Sequence, residues 1–178
     1  MLLKLMIINK DVNRKVLRDY FFIKGSLDID FEYFIQKIKQ GCSLQDNLSF
    51  KTNIKGLMTH HDFFNEDPKF NEILIPLIDY VDSYYQFPAY SVSSSWGFEV
   101  RPREKTLFHN HFELWAGVIY LNKCNQPLIF PEIKEEILPE AGSFAIFSGF
   151  LKHGTEKNSD SISKFGMSFN MKEITSLK

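Results

Sequence analysis

Apolar residues recur at intervals of three and four in two early segments, and at intervals of two through the second half of the chain. In LDIDFEYFIQKIKQG the positions Phe31, Phe34, Ile35 and Ile38 share one helical face. Asp30 offers a side-chain acceptor for the first turn and Gly41 a residue able to end the last, so the segment predicts a short amphipathic helix. In NEDPKFNEILIPLIDYVDSYYQF, Asp67 is placed to cap and Pro68 falls in the first turn, where its missing N–H costs nothing. Phe70, Ile73, Leu74, Leu77, Ile78 and Val81 form the stripe of a second helix, which Pro76 is expected to kink or break. The opening MLLKLMIINKDVNRK reads as a first strand.

From about residue 89 the period is two. AYSVSSSWGFEV alternates with Tyr90, Val92, Ser94, Trp96, Phe98 and Val100 as one set, and WAGVIYLN, PLIFPEI, GSFAIFSG and ISKFGMSFNMKEI follow with turn-like spacers. Closely spaced short strands predict a sandwich or barrel with the two helices packed on one outer face. The shift near residue 88 separates an N-terminal strand and helices, 1–88, from barrel strands, 89–178; with no linker or repeat, all 178 residues are expected to form one domain.

Composition narrows this picture. Eighteen Phe and seven Tyr favour a strand-rich core, and the aromatic N-terminal stretches DYFFIKG and DFEYF could cover a neighbouring copy in a homodimer. A net charge of -1 leaves no large basic field for a nucleic-acid backbone. Cys42 and Cys124 are far apart and outside any Cys-x-x-Cys pattern, which argues against a disulfide framework or thiolate zinc site and for a reducing, cytoplasmic setting. The N-terminal apolar stretch is interrupted by Lys4 and lacks a small-residue cleavage site, and no run reaches the roughly 20 apolar residues of a membrane span.

The candidate chemistry starts at FHNHFELWAG, where His109 and His111 would project to one side of an extended segment. If His153, at the end of a later apolar run, meets them, three imidazoles would take one side of an octahedron and leave positions for substrate and dioxygen; otherwise the three are surface and turn residues. In SKFGMSFN, alternation places Lys164, Gly166, Ser168 and Asn170 on one face and Phe165, Met167 and Phe169 on the other. An inward lysine is costly to bury without an anion, and a bound carboxylate would supply one. His60 and His61 read as helix-approach or lid-loop residues, Trp96 as core beside the pocket, and Cys124 as part of a hairpin turn.

The order His-x-His, AGVIYLN, LIFPE, LPEAGSFAIFSGFLKHGTEKN and KFGMSFN resembles the iron(II)/2-oxoglutarate-dependent oxygenases of the small prolyl-hydroxylase-like branch of marine bacteria and their phages, over roughly residues 52–171. The resemblance implies a mainly β, α+β chain built on a double-stranded β-helix (jelly-roll, cupin-like). It implies Fe(II) bound by His109, His111 and His153, with Lys164 in the family's arginine position holding the far carboxylate of 2-oxoglutarate, assisted by Ser168, Asn170 and Tyr120. His111 stands where the wider superfamily has an acid, so Glu113 competes with it for the third position. FSGF replaces the family's Phe-Pro-Ser, and lysine replaces arginine.

On this resemblance the expected activity is a dioxygenase that hydroxylates a small-molecule or peptide substrate with dioxygen and releases succinate and CO2. The alternatives are a cupin-like three-histidine metalloenzyme that does not use 2-oxoglutarate, or a non-catalytic β-barrel that binds a small ligand. The expected substrate-contacting loops are 100–107 and 131–140.

Overall fold

The structure is a computed structural model that describes residues 4–5, 20–43, 53–84 and 90–174. In chain order the elements are β1 (Lys4–Leu5), β2 (Phe22–Ser26), α1 (Phe31–Ser43), β3 (Ile54–Lys55), β4 (Leu57–Met58), α2 (Pro68–Tyr84), β5 (Tyr90–Val100), β6 (Lys105–Thr106), β7 (Trp115–Tyr120), β8 (Leu128–Phe130), β9 (Glu135–Ile137), β10 (Ser143–Ser148) and β11 (Lys164–Glu173). Of the opening segment expected as a strand, Lys4–Leu5 pairs with β2; the remainder lies outside the described residues.

Seven strands form an antiparallel sheet in the order β1-β2-β10-β7-β11-β5-β4, and β3-β6 and β8-β9 form two small ladders. The large sheet separates two cores. On one face Phe34 and Ile38 of α1 and Phe70, Leu74, Leu77 and Val81 of α2 pack against Trp115, Ile119, Ile146, Met167 and Phe169. On the other, Phe98, Val118, Tyr120 and Phe147 meet Leu128, Phe130, Ile133 and Ile137 from β8, β9 and their turn. Burying each large apolar side chain contributes about 1.5–3 kcal/mol, so both faces of the sheet are strongly specified. That explains why β7 is apolar throughout: every residue from Trp115 to Tyr120 is buried.

Both helices begin where their capping residues predict. The Tyr33 N–H donates to Asp30 Oδ1 at 3.1 Å and the Phe70 N–H to Asp67 Oδ1 at 2.9 Å. Of the kink or break expected at Pro76, the break does not occur: α2 runs through it to Tyr84. Pro76 and Glu72 both lie on the exposed side, so the Glu72 carbonyl that loses its helical partner faces water, while the buried stripe holds both halves to the sheet. A second difference lies in β5. Its register against β11 shifts between Asn170 and Met171, where Asn170 faces Ser94 and Met171 faces Val92. The extra residue, Ser93, reverses the alternation: Tyr90 and Val92 pack on the helix side, whereas Phe98 and Val100 belong to the opposite core.

β2, hidden in the sequence as an aromatic patch interrupted by Lys24 and Gly25, lies between β1 and β10. Its neighbour Phe21 and its own Phe22 and Ile23 are buried within this chain's own cores.

Asp67 ties the helices together. Its carboxylate accepts from Tyr33 Oη at 2.9 Å and from Lys37 Nζ as well as from the Phe70 N–H. Burial opposes its charge, but the Lys37, Phe70 and Tyr33 hydrogen bonds together hold the carboxyl below the ordinary range. This contribution is therefore present at neutral pH and lost as the medium is acidified through that lowered pKa. Asp67→Ala is expected to cost about 1–3 kcal/mol in denaturant melts at pH 7, a deficit that shrinks as the wild type is acidified.

Among the described residues no helix is long and apolar enough to cross a membrane.

Candidate active site

The β8–β9 side of the sheet encloses a cavity of about 170 Å³, and the three histidines converge there. The backbone brings them together. His109 and His153 exchange both main-chain hydrogen bonds, N–H to O at 2.9 and 2.8 Å, as an isolated antiparallel bridge. The His111 N–H donates to the Gly149 carbonyl at 2.7 Å, and the Gly149 N–H to Leu114 at 3.2 Å. The His-x-His segment is thus a loop clamped onto 149–153 rather than a regular strand.

One ligand nitrogen from each imidazole lies within 4.8 Å of the other two, and His111 Nε2 stands 3.3 Å from His153 Nε2. Two of the rings have fixed tautomers. His109 Nδ1 lies 2.7 Å from the Leu107 carbonyl and His153 Nδ1 2.9 Å from the Leu151 carbonyl. A carbonyl only accepts, so Nδ1 carries the proton and Nε2 presents a lone pair inward.

Burial lowers all three imidazolium pKa values. His153 falls to about 3, with repulsion from His109 and His111 adding to burial, and His111 to about 4, with His109 adding. His109 is lowered by burial against the opposing Leu107 hydrogen bond. Three neutral nitrogen donors therefore face one point at neutral pH, with no proton to displace. Glu113 is half-exposed and its carboxylate is not part of this group.

The loop clamp has a tight joint. A Cβ at Gly149 would lie 2.2 Å from the Glu113 carbonyl oxygen, a backbone atom with little room to move. Gly149→Ala is expected to push the 111–114 turn away from residue 149, with a loss of about 1–3 kcal/mol in stability and a larger proportional loss in metal affinity; thermal melts with and without added metal would separate the two.

β11 supplies the second group of residues. Phe165, Met167 and Phe169 enter the helix-side core, while Lys164, Ser168 and Asn170 line the cavity, as the alternation predicts. Gly166 lies on the cavity side, where a Cβ would meet the Phe98 ring at 2.4 Å. Lys164 is only 1% exposed. None of the ion pairs among the described residues includes it; its ammonium donates to the Gln126 carbonyl at 3.4 Å and sits 5.6 Å from the centre of the Tyr120 ring. Burial pushes this ammonium down to about 8. Burial also raises the Tyr120 phenol, which stays protonated.

The rim of the cavity carries residues with little signal in the sequence. His61 lines the cavity with its ring 5.2 Å from Trp96, and Asn53, Met58, Thr106 and Thr155 complete the wall. The only sequence signal for Trp96 was its place two residues from Phe98 on one strand face. Asn53 and Thr155 come from segments with no periodicity.

No protein-family model matches the chain, and none of the curated proteins does. Solved structures do. The viral collagen prolyl hydroxylase of Paramecium bursaria Chlorella virus-1, in complex with 2-oxoglutarate, superposes with a TM-score of 0.68 at 16% identity, over 87% of this chain and 96% of that one. HygX from Streptomyces hygroscopicus, with nickel and 2-oxoglutarate bound, gives 0.64 at 10% identity over 88% and 83%. A Pseudomonas putida prolyl-4-hydroxylase gives 0.63 at 10% identity over 86% and 92%. The fold is thus the jelly-roll β-helix of these oxygenases, with two helices backing the large sheet.

Proposed function

We propose that the protein is an iron(II)- and 2-oxoglutarate-dependent dioxygenase that hydroxylates a small-molecule or peptide substrate. The observation that carries this reading is one cavity with two complementary features: three converging neutral imidazoles and a buried lysine with no carboxylate beside it among the described residues. A cation suited to nitrogen donors answers the first and a carboxylate answers the second. A ligand with a metal-chelating end and a free carboxylate meets both, and the solved structures of this fold include complexes with 2-oxoglutarate.

In this reading His109, His111 and His153 hold the metal and Lys164 holds the distal carboxylate. Bound iron and 2-oxoglutarate supply the oxidising chemistry: dioxygen, 2-oxoglutarate and a substrate C–H bond become succinate, CO2 and a C–OH group. The chain's own task is placement and shielding. The Leu107 and Leu151 carbonyls fix the imidazole tautomers. Phe98, Val118, Leu128 and Phe147 keep the wall apolar, which strengthens the Lys164–carboxylate attraction. Tyr120 stands beside the ammonium, and Ser168 lies four residues further along β11.

Lys164 is also what favours this reading over a cupin-like three-histidine enzyme, which has no need of a buried cation. The test is release of succinate from 2-oxoglutarate by iron-loaded protein under air. Turnover that disappears in His153→Ala supports the reading; folded, iron-loaded wild type that neither binds nor converts 2-oxoglutarate contradicts it.

A further inference from the structure

Two cavity-lining side chains are more than nine-tenths buried and carry a polar atom with no hydrogen-bond partner among the described residues: the Trp96 indole Nε1–H and the Asn170 amide oxygen Oδ1. Leaving a buried donor or acceptor unpaired is costly, and two in one cavity call for a ligand. They are near neighbours. Trp96 faces Ser168 across the β5–β11 ladder, and Asn170, two residues on along the same face, faces Ser94. Trp96 and Asn170 therefore occupy diagonal positions, about 7–8 Å apart at their backbones and within mutual reach of one small group. The Asn170 Nδ2 donates to Ser94 Oγ at 3.2 Å, which turns Oδ1 away from that partner, and the Ser93 bulge beside it ends the regular ladder.

This pair lies away from the lysine. Asn170 is six residues from Lys164 on β11, about 20 Å along an extended strand, and sits against Ala116 at the start of β7, where the histidine loop enters the sheet. Lys164 lies instead at the Tyr120 end. Asn170, which the resemblance implies would assist at the carboxylate held by Lys164, thus lies toward the other end of β11 from that ammonium.

We propose that Trp96 and Asn170 form the recognition subsite for the primary substrate and that they read the edge of an amide, a carbonyl oxygen beside an N–H as in a primary amide or lactam. The indole N–H donates to the carbonyl, and Asn170 Oδ1 accepts from the amide N–H. Neither atom can serve the other's role: indole is donor only, and the amide oxygen is acceptor only. A carboxylate or an ester matches one of the two and leaves the other unpaired, and this gives the site its selectivity. The assignment rests on the dioxygenase reading only in calling the ligand a substrate.

The test uses the full chain loaded with zinc, a diamagnetic substitute for iron, and follows indole N–H signals by NMR. The chain has two tryptophans, and Trp96→Phe identifies the Trp96 signal by its disappearance. The probes are 2-pyrrolidinone, which has both halves of the amide edge, and N-methyl-2-pyrrolidinone, which lacks the N–H. The expected result is a saturable shift of the Trp96 signal with 2-pyrrolidinone, binding about three- to tenfold tighter than the N-methyl probe, and loss of that preference in Asn170→Ala. The 2-pyrrolidinone affinity should persist in protein saturated with 2-oxoglutarate. An unmoved Trp96 signal, equal affinity for the two probes in wild type, or competition between 2-oxoglutarate and the lactam would overturn the proposal. The first two arms need no variant beyond the assignment control. Failure of 2-oxoglutarate to bind at all would count against the dioxygenase reading and leave the probe comparison interpretable.

Discussion

Replacing Lys164 with methionine is expected to make the protein more stable and unable to hold 2-oxoglutarate. The two effects have one cause. Burial without an anion lowers the ammonium to about 8 from its ordinary 10.5, so between those values the unfolded chain binds more protons than the folded one. Stability then rises with pH across that window, and below it the native state carries a penalty of roughly 3 kcal/mol. Lys164→Met removes the charge at similar volume, so melts at pH 7 should show a gain of about 1–3 kcal/mol and a flatter profile between pH 8 and 10. In the proposed function the same substitution removes the partner of a desolvated carboxylate, which typically costs 2–5 kcal/mol; the KM for 2-oxoglutarate should therefore rise about 100-fold or more. In the wild type, that KM should also climb once the pH passes about 8, because only the protonated amine attracts the carboxylate. A variant that loses stability and keeps its 2-oxoglutarate affinity would show that Lys164 is held by the fold for another reason.

His153→Ala is expected to abolish turnover while leaving the sheet intact. The bridge that joins His153 to His109 is made by main-chain atoms, so alanine preserves both bonds and removes only the imidazole. Changing groups that merely support metal ligands costs 10–100-fold, so removing a ligand should cost more than about 100-fold in iron affinity or activity. The lost ring also packs beside Phe130 and Phe147, with centroids 5.5 and 4.7 Å away, so a modest stability loss of about 1–3 kcal/mol is expected. Iron content after gel filtration and a thermal melt read the two effects separately. His111→Ala should behave alike, whereas Glu113→Gln should retain iron, since the Glu113 carboxylate stands apart from the three nitrogens.

Much of this architecture could be read directly from periodicity. The two helices start at Asp30 and Asp67 because side-chain caps are local, and β11 presents Lys164 to the cavity because strand alternation is local too. Non-local features were not legible. A single inserted residue, Ser93, reverses which face Tyr90 and Val92 occupy, and no composition signal marks it. β2 carries Lys24 and Gly25 in its middle, so it reads as an aromatic cluster until β10 is seen to pair with it. That the helix continues through Pro76 depends on which of its faces meets solvent, which a local pattern does not state. The spacing of His109, His111 and His153 suggested a shared site, but their convergence depends on the hydrogen bonds from 149 and 153 to the histidine loop.

In the proposed function the three imidazoles and Lys164 act on one bound molecule. Anaerobic calorimetric titration of 2-oxoglutarate into iron-supplied wild type, His153→Ala and Lys164→Ala tests it most directly. Tight binding to wild type is expected, with a weakening of about 100-fold or more in each variant, since each loses one end of the same ligand's attachment. Equal affinity in all three folded proteins would contradict it.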